Sequence, residues 1–274
     1  MMMHSCIKNT RLTFSDDHVL TILCRTKVKK GDKIYHSYAR TFTPTNIRRI
    51  GLFSGKHFSC ECIRCKDPSE LQTFLSAFTC SCGGQILAED PLDLTPDAYW
   101  CCNSCDTRIA ALEMAGKERG IMMETYAMKR DDPLGMETFL EKYKTVLHKN
   151  HAFILEVEKQ LSVAYGSFPG FQIETLSDKR LARKICYCSH LLDILDILEP
   201  GISTQKGLSL YDLWKGKEEM LRRLGLKKDD SKYKSEKLKN SALLEESLRI
   251  LEYEPTNSLH GAVKEEINRK LKEM

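Results

Sequence analysis

Apolar residues fall into three rhythms along this chain, and each predicts a different kind of element. From Val19 to Tyr38 the text is rich in β-branched and aromatic residues, in "HVLTILCRTKV" and "KIYHSY", with the turn-like "KKGD" between them. That pattern predicts strands. Residues 57–105 have no sustained period. Glycine and proline punctuate a run of cysteines there, which predicts a small metal-organised module more than a large core. After about residue 110 apolar positions recur every three or four residues. The helical stretches are "METFLEKYKTVLHKNHAFILEVEKQLSVAY", "LSDKRLARKICYCSHLLDILDIL", "LSLYDLWKGKEEMLRRLG" and "SALLEESLRILEYEP". The second begins at a capping Ser177 and ends at "EPG". Antiparallel helix pairs of this style suggest a tetratricopeptide-like array, although no strict 34-residue period is visible. The fold class expected is α+β: a small β-rich part with four-cysteine zinc modules, followed by an all-α, TPR-like helical domain.

Composition narrows the setting. The chain has 274 residues, room for one large or two modest domains, and its 42% hydrophobic and 29% charged content is ordinary for a globular protein. The longest apolar runs, "AFILEV" and "LLDILDIL", fall far short of the roughly 20 residues of a membrane span, so no membrane partner is expected. The N-terminal "MMMHSCIKNTR" lacks the apolar region of a secretory signal, so the expected location is intracellular, in nucleus or cytoplasm. Twelve cysteines in a reducing compartment point to metal or redox chemistry before disulfides. The formal net charge of +4 is weak evidence for a polyanionic partner. Two four-thiolate zinc sites would bring it to about zero. The basic run "RTKVKKGDK" has no interleaved aromatics and reads as a solvated turn, so no nucleic-acid motif is identified.

Cysteine spacing carries the chemistry. Cys60, Cys62 and Cys65 form a C-x-C-x-x-C loop in "HFSCECIRCKDPSE". Three soft ligands on a tight loop converge on one zinc with little chain entropy lost between them. The fourth ligand is open on spacing alone: His57 is local, Cys6 and Cys24 are remote. A second set pairs Cys80 and Cys82 of "CSCGG" with Cys102 and Cys105, a C-x-x-C arm about 20 residues later. Cys101 is the alternative to Cys102. Cys186 and Cys188, spaced i, i+2 on a predicted helix, point apart and read as packing residues.

The string "HSC…GDKIYHSY…R…HFSCECIRCKDPSE" resembles the C-terminal half of a SET domain followed by its post-SET module, in the SET/MYND family of protein-lysine methyltransferases. Family members read N-H-S-C-x-P-N, then a strand ending G-[ED]-x-[IVL]-x-x-S-Y, an arginine-rich helix, and [YH]-F-x-C-x-C-x-x-C. The segment "FTCSCGGQILAEDPLDLTPDAYWCCNSC" and the terminal "LRILEYEPTNSLHGAVKEE" are similar to later parts of some members. The resemblance implies that Cys6 completes the first zinc site with Cys60, Cys62 and Cys65, while spacing puts a second zinc on Cys80, Cys82, Cys102 and Cys105. It implies methyl transfer from S-adenosylmethionine to a lysine amine. Tyr38 is then the catalytic tyrosine near the transferring methyl, His4 the residue whose backbone contacts the cofactor, and Phe58 the aromatic against the adenine. A protein substrate or partner is implied, histones or chromatin-associated proteins among the candidates.

The departures are specific. Met3 replaces the motif's asparagine and offers no amide, Lys8 stands where its proline is expected, and Lys56 sits where many relatives place a tyrosine. The sequence starts inside the motif, so the first SET half and a MYND finger are not among these residues. The expected segments are 1–56 as the C-terminal part of SET, 57–109 as post-SET and zinc-binding, and 110–274 as the helical domain. Two functions are carried forward. One is a SET/MYND-type methyltransferase homologue, with this chain a fragment of weak or no activity alone. The other is a non-catalytic zinc-binding helical interaction or regulatory protein.

Overall fold

The computed structural model describes residues 2–15 and 17–273. In chain order the elements are β1 (Met3–His4), β2 (Thr10–Phe14), β3 (Leu20–Cys24), β4 (Tyr35–His36), α1 (Thr45–Lys56) and the single turn α2 (Ile63–Lys66). A small sheet follows, β5 (Phe78–Thr79), β6 (Gln85–Ala88), β7 (Tyr99–Cys102) and β8 (Arg108–Ala110). The helices α3 (Ala111–Ala127), α4 (Pro133–Tyr143), α5 (Ala152–Ala164), α6 (Asp178–Leu198), α7 (Thr204–Arg223), α8 (Ser231–Leu251) and α9 (Leu259–Glu273) complete the chain. Mixed helix and sheet with small sheets, two cysteine clusters and a helical C-terminal region is the fold class expected. No helix of the described residues is long and apolar enough to cross a membrane.

Contacts divide the chain into two compact units, Met1–Lys8 with Lys33–Gln160, and Asn9–Asp32 with Leu161–Met274. In the first, β1 runs parallel to β4 with Met3 opposite Tyr35 and His4 opposite His36. β5 to β8 form an antiparallel sheet in sequence order, with Ile86 opposite Cys102 and Trp100 opposite Ile109. Its period-two pattern turns Ile86 and Trp100 inward, and Trp100 meets Phe78 edge-on. Helix α1 buries Leu52 together with Arg48 and Arg49, so its inner face is half cationic. It stops at His57, which takes the left-handed conformation and donates its backbone N–H to Phe53 O.

The long apolar repeat through 136–165 predicts unbroken helix, but the structure interrupts it between α4 and α5. The backbone there pairs with the 75–79 segment instead: Thr79 N–H donates to Val146 O, His148 N–H to Ala77 O and Ala152 N–H to Leu75 O. Leu147 and His151 are buried, the latter edge-on against Phe78. Backbone hydrogen bonds to the 75–79 segment take the place of helical ones there.

The second unit is built around α7. Leu210 and Leu213 face Cys188 and Leu192 of α6 together with Ile250 of α8, while Tyr211 and Trp214 face Leu244, Leu251 and Ile267 of α8 and α9. Gly207 lets α8 approach, since a Cβ there would lie 2.9 Å from Ile250 and Leu251 side-chain carbons. Ser177 caps α6 by accepting from Arg180 N–H, and the helix ends before Glu199, as its sequence predicts. Strand β3 pairs with β2, not with β4 across the "KKGD" turn. Arginines explain where the β2–β3 hairpin goes. Arg11 donates to Ile250 O and pairs with Glu254, and Arg25 donates to Glu199 O and Ile202 O while facing the Glu199 carboxylate at 3.3 Å. Arg25 O in turn accepts from Ile202 N–H beside Gly201, where φ is +79° and a Cβ would lie 2.0 Å from that oxygen.

Candidate metal centres

Two groups of four cysteines gather their sulfur atoms within 4.8 Å of one another: Cys6, Cys60, Cys62 and Cys65, and Cys80, Cys82, Cys102 and Cys105. The Sγ–Sγ separations of 3.6 and 3.9 Å from Cys6 to Cys65 and Cys60, and of 3.7 and 3.5 Å for Cys80–Cys105 and Cys82–Cys102, far exceed a disulfide. They match the roughly 3.8 Å edge of a tetrahedron with Zn–S bonds near 2.3 Å. Each group could therefore bind zinc. Of the alternative ligands, His57 is exposed at the end of α1, Cys24 is exposed on β3, and Cys101 is not among the four. On α6, Cys188 is buried and Cys186 exposed.

The first group is assembled by Cys6 just after β1, Cys60 and Cys62 in the loop before α2, and Cys65 on α2. Its thiols perturb one another strongly. Hydrogen bonds among the sulfurs, led by that with Cys60, push Cys6 far up, whereas donation from Cys6, Cys60 and Cys65 pulls Cys62 far down. Four thiolates cannot share so small a volume without a cation to neutralise them.

Arg48 supplies part of that neutralisation. Its Nε donates to Cys6 Sγ at 3.2 Å and its second nitrogen to Cys65 Sγ at 3.4 Å. The same guanidinium donates to Thr43 O, Thr45 Oγ1 and Glu70 Oε2 at 2.6, 2.9 and 2.9 Å. Glu70 also accepts from Arg64 at 2.8 Å and from Ser76 Oγ. Burial would raise the Glu70 carboxyl, but the two guanidinium groups outweigh it and hold it at about 2.

A left-handed turn puts Glu70 there. Glu70, Leu71, Gln72 and Phe74 have φ between +49° and +62°, a region that costs non-glycine residues roughly 1–2 kcal/mol each. Asp67 offsets part of that cost by accepting from Ser69 N–H, Ser69 Oγ and Leu71 N–H at 2.7–2.8 Å.

The second group sits on the β5–β6 and β7–β8 turns. Gly83 takes φ +87°, and a Cβ on Gly84 would lie 2.7 Å from Ser104 and 2.8 Å from Cys102 Sγ, so "CSCGG" has a steric reason. Cys82 and Cys105 are exposed, and no arginine donates to these sulfurs among the described contacts. Backbone donation from Cys82 N–H draws Cys80 down to about 6.

Beside the first group lie His4, Tyr38 and Phe58. The His4 ring is 5.4 Å from both aromatic rings. His4 Nδ1 accepts from Tyr38 N–H at 3.0 Å, which assigns the ring proton to Nε2, 3.4 Å from Cys6 Sγ. Burial holds this imidazole below its ordinary value and so neutral. The Tyr38 hydroxyl donates to Met2 O, and Lys56 Nζ lies 5.7 Å from the Tyr38 ring centre. A cleft of about 470 Å³ lined by Tyr38, Arg48, Gly55, Lys56 and Tyr126 opens next to them.

Spacing does not single out Arg48, Arg64 or Glu70, nor Glu118, a buried carboxylate of α3 that accepts from the Asn46 amide. The one available sign was "NIRRIG", two adjacent arginines inside an apolar helical stripe.

No family model matches the chain. The chain is similar to SET domain-containing protein SmydA-8 of Drosophila melanogaster, 32% identical to isoform B over 118 residues, which is 42% of this chain and 26% of that protein. Isoform A is 30% identical over the same length, 25% of its own. A SET and MYND domain-containing protein of Dictyostelium discoideum is 36% identical over 62 residues, 23% of this chain and 18% of the relative. The class defined here is thus a mixed helix-and-sheet protein with two four-cysteine centres. Within that class, the chain is similar over 62 to 118 residues to SET domain and SET and MYND domain proteins, and it matches about a quarter or less of the length of these relatives.

Proposed function

We propose that this chain is the zinc-bearing and helical portion of a SET/MYND-type, S-adenosylmethionine-dependent protein-lysine methyltransferase homologue. The observation that carries the reading is the convergence of Cys6 with Cys60, Cys62 and Cys65 against Tyr38 and Phe58, whose rings both lie beside that of His4. In this reading the first zinc works as a post-SET clasp. It holds the loop bearing Phe58 against the strand bearing His4, and the rings form one wall of the cofactor and lysine site. Bound S-adenosylmethionine would supply the methyl group. Phe58 would lie against its adenine, His4 would contact it through the backbone, and Tyr38 would orient the accepting amine. The helical elements after residue 160 would serve as a TPR-like surface for a protein substrate or partner, a histone or chromatin-associated protein among the candidates, in nucleus or cytoplasm.

These residues by themselves are expected to have weak or no activity. Met3 has no amide to hold the cofactor, and the Tyr38 hydroxyl is engaged by Met2 O. The same two observations favour a second reading, a non-catalytic zinc-binding interaction or regulatory protein. Titration calorimetry of the zinc-loaded 274-residue chain with S-adenosylmethionine separates them. The expected result is no micromolar binding; a micromolar Kd abolished by Phe58→Ala would overturn the weak-activity reading and favour catalysis.

A further inference from the structure

The cleft beside Tyr38 has a volume of about 470 Å³, within the range of sites that hold small ligands, and every residue lining it belongs to the metal-bearing unit. Tyr38, Ala39, Ile47, Leu52 and Tyr126 give it apolar surface. Gly51 and Gly55, one helical turn apart on α1, leave its floor bare, since a Cβ on either would have no atom within 4 Å.

Three cations line the cleft, Arg40, Arg48 and Lys56, and no aspartate or glutamate does. Arg48 has nothing left to offer a ligand. Its five N–H groups go to Thr43 O, Thr45 Oγ1, Glu70 and the sulfurs of Cys6 and Cys65. Arg40 and Lys56 differ. Both are exposed, and neither has an ion pair or hydrogen bond among the described residues. The Lys56 ammonium stands 5.7 Å from the Tyr38 ring centre, which places its charge at the cleft wall. Helix α1 carries no acidic residue that could turn back to it. Behind the cleft the charges cancel. Buried Arg48, Arg49 and Arg64 balance Glu70 and a dianionic four-thiolate zinc centre, and Glu118, raised to about 7, is largely protonated at pH 6.5. The charges of Arg40 and Lys56 are therefore not offset from within, and they stand beside apolar surface.

We propose that this cleft docks a short acidic segment of a partner protein. Its glutamate or aspartate carboxylates accept from Arg40 and Lys56, while its methylene groups lie against Ile47 and Tyr126 and its backbone crosses Gly51 and Gly55. A carboxylate carried on methylenes uses both the cations and the apolar wall, whereas a bare phosphate uses the cations alone. The segment belongs to the protein partner of the reading above. The readout is binding without S-adenosylmethionine, so failure of this site and failure of methyl transfer are separate results.

Zinc-loaded protein labelled with ¹⁵N-glycine is titrated at pH 6.5 and low salt with the capped pentapeptide Gly-Glu-Ala-Glu-Gly and with its neutral counterpart Gly-Gln-Ala-Gln-Gly. Of the 15 glycines, Gly51 and Gly55 report on the cleft, and Gly83 and Gly84 of the second metal centre are the control. The expected result is a saturable shift of the Gly51 and Gly55 amide signals with the glutamate peptide and binding about tenfold weaker for the glutamine peptide. Arg40→Ala combined with Lys56→Ala should bring the glutamate peptide down to the glutamine level, and the fold tolerates the change because both side chains are exposed. Gly51→Leu, which favours helix, should occlude the floor and abolish the Gly55 shift. Equal affinity for the two peptides, binding unchanged in either variant, no saturable shift, or displacement by inorganic phosphate at the peptide's own concentration would each overturn the proposal.

Discussion

Arg48 does two jobs that are usually separate. It donates to two candidate zinc thiolates, and it neutralises Glu70 in a region where both groups are almost completely buried. Outer-sphere partners of this kind typically change metal affinity 10- to 100-fold when removed. Arg48→Met is therefore expected to release zinc from the first centre at least about tenfold faster in a chelator-competition assay, while Cys80, Cys82, Cys102 and Cys105 keep theirs. Equal release rates from both centres would refute the role. Glu118 makes a prediction of opposite sign to an ordinary salt-bridged carboxylate. Its carboxyl rises from the ordinary 4.5 to about 7, so the folded state favours the protonated form. The resulting stability is present below about 4.5 and is lost as pH rises through 7. Glu118→Gln should accordingly gain roughly 2–3 kcal/mol relative to wild type at pH 8 and little at pH 4.5. Denaturant melts at the two pH values test this; an equal change at both would show that desolvation is not the cause.

At the level of elements, the second centre depends on backbone room as much as on thiols. Gly84→Ala places a methyl group within 2.8 Å of Cys102 Sγ. Metal analysis should fall from about two zinc ions per chain to about one, with the first centre retained. Two full equivalents in that variant would mean the turn adapts at no cost. Capping chemistry marks both ends of α6: Ser177 opens it, and the chain leaves it at Glu199 before Gly201. The break between α4 and α5 has no such local mark. Apolar spacing continues through 144–151, and nothing local says that Val146, His148 and Ala152 will bond to the 75–79 segment. The partner of β3 was equally hidden, because pairing with β2 is stabilised by buried Arg11 and Arg25 contacts far along the chain.

For the whole molecule, the two compact units have different sources of stability. The metal-bearing unit surrounds Leu52 with four cysteines and three buried arginines, whereas α6 to α9 bury leucines, isoleucines, Tyr211 and Trp214 without any of the eight clustered cysteines. Zinc removal by a strong chelator should therefore expose amides in 33–110 to hydrogen exchange while those of α6–α8 remain protected. Loss of protection in both regions at the same rate would show that one cooperative unit holds the chain. The cysteine spacings alone located both clusters, because metal coordination needs soft ligands a few residues apart and those distances are written along the chain. Hydrophobic period likewise determined the helical half, since a 3.6-residue repeat is a local property. The choice of Cys6 over His57 or Cys24 was not decidable from spacing, and the resemblance alone suggested it. Only the tertiary structure decided what surrounds those ligands. Arg48, Glu70 and Glu118 owe their roles to burial beside groups tens of residues away, and burial is a property of the packed chain, with no periodic trace in the sequence.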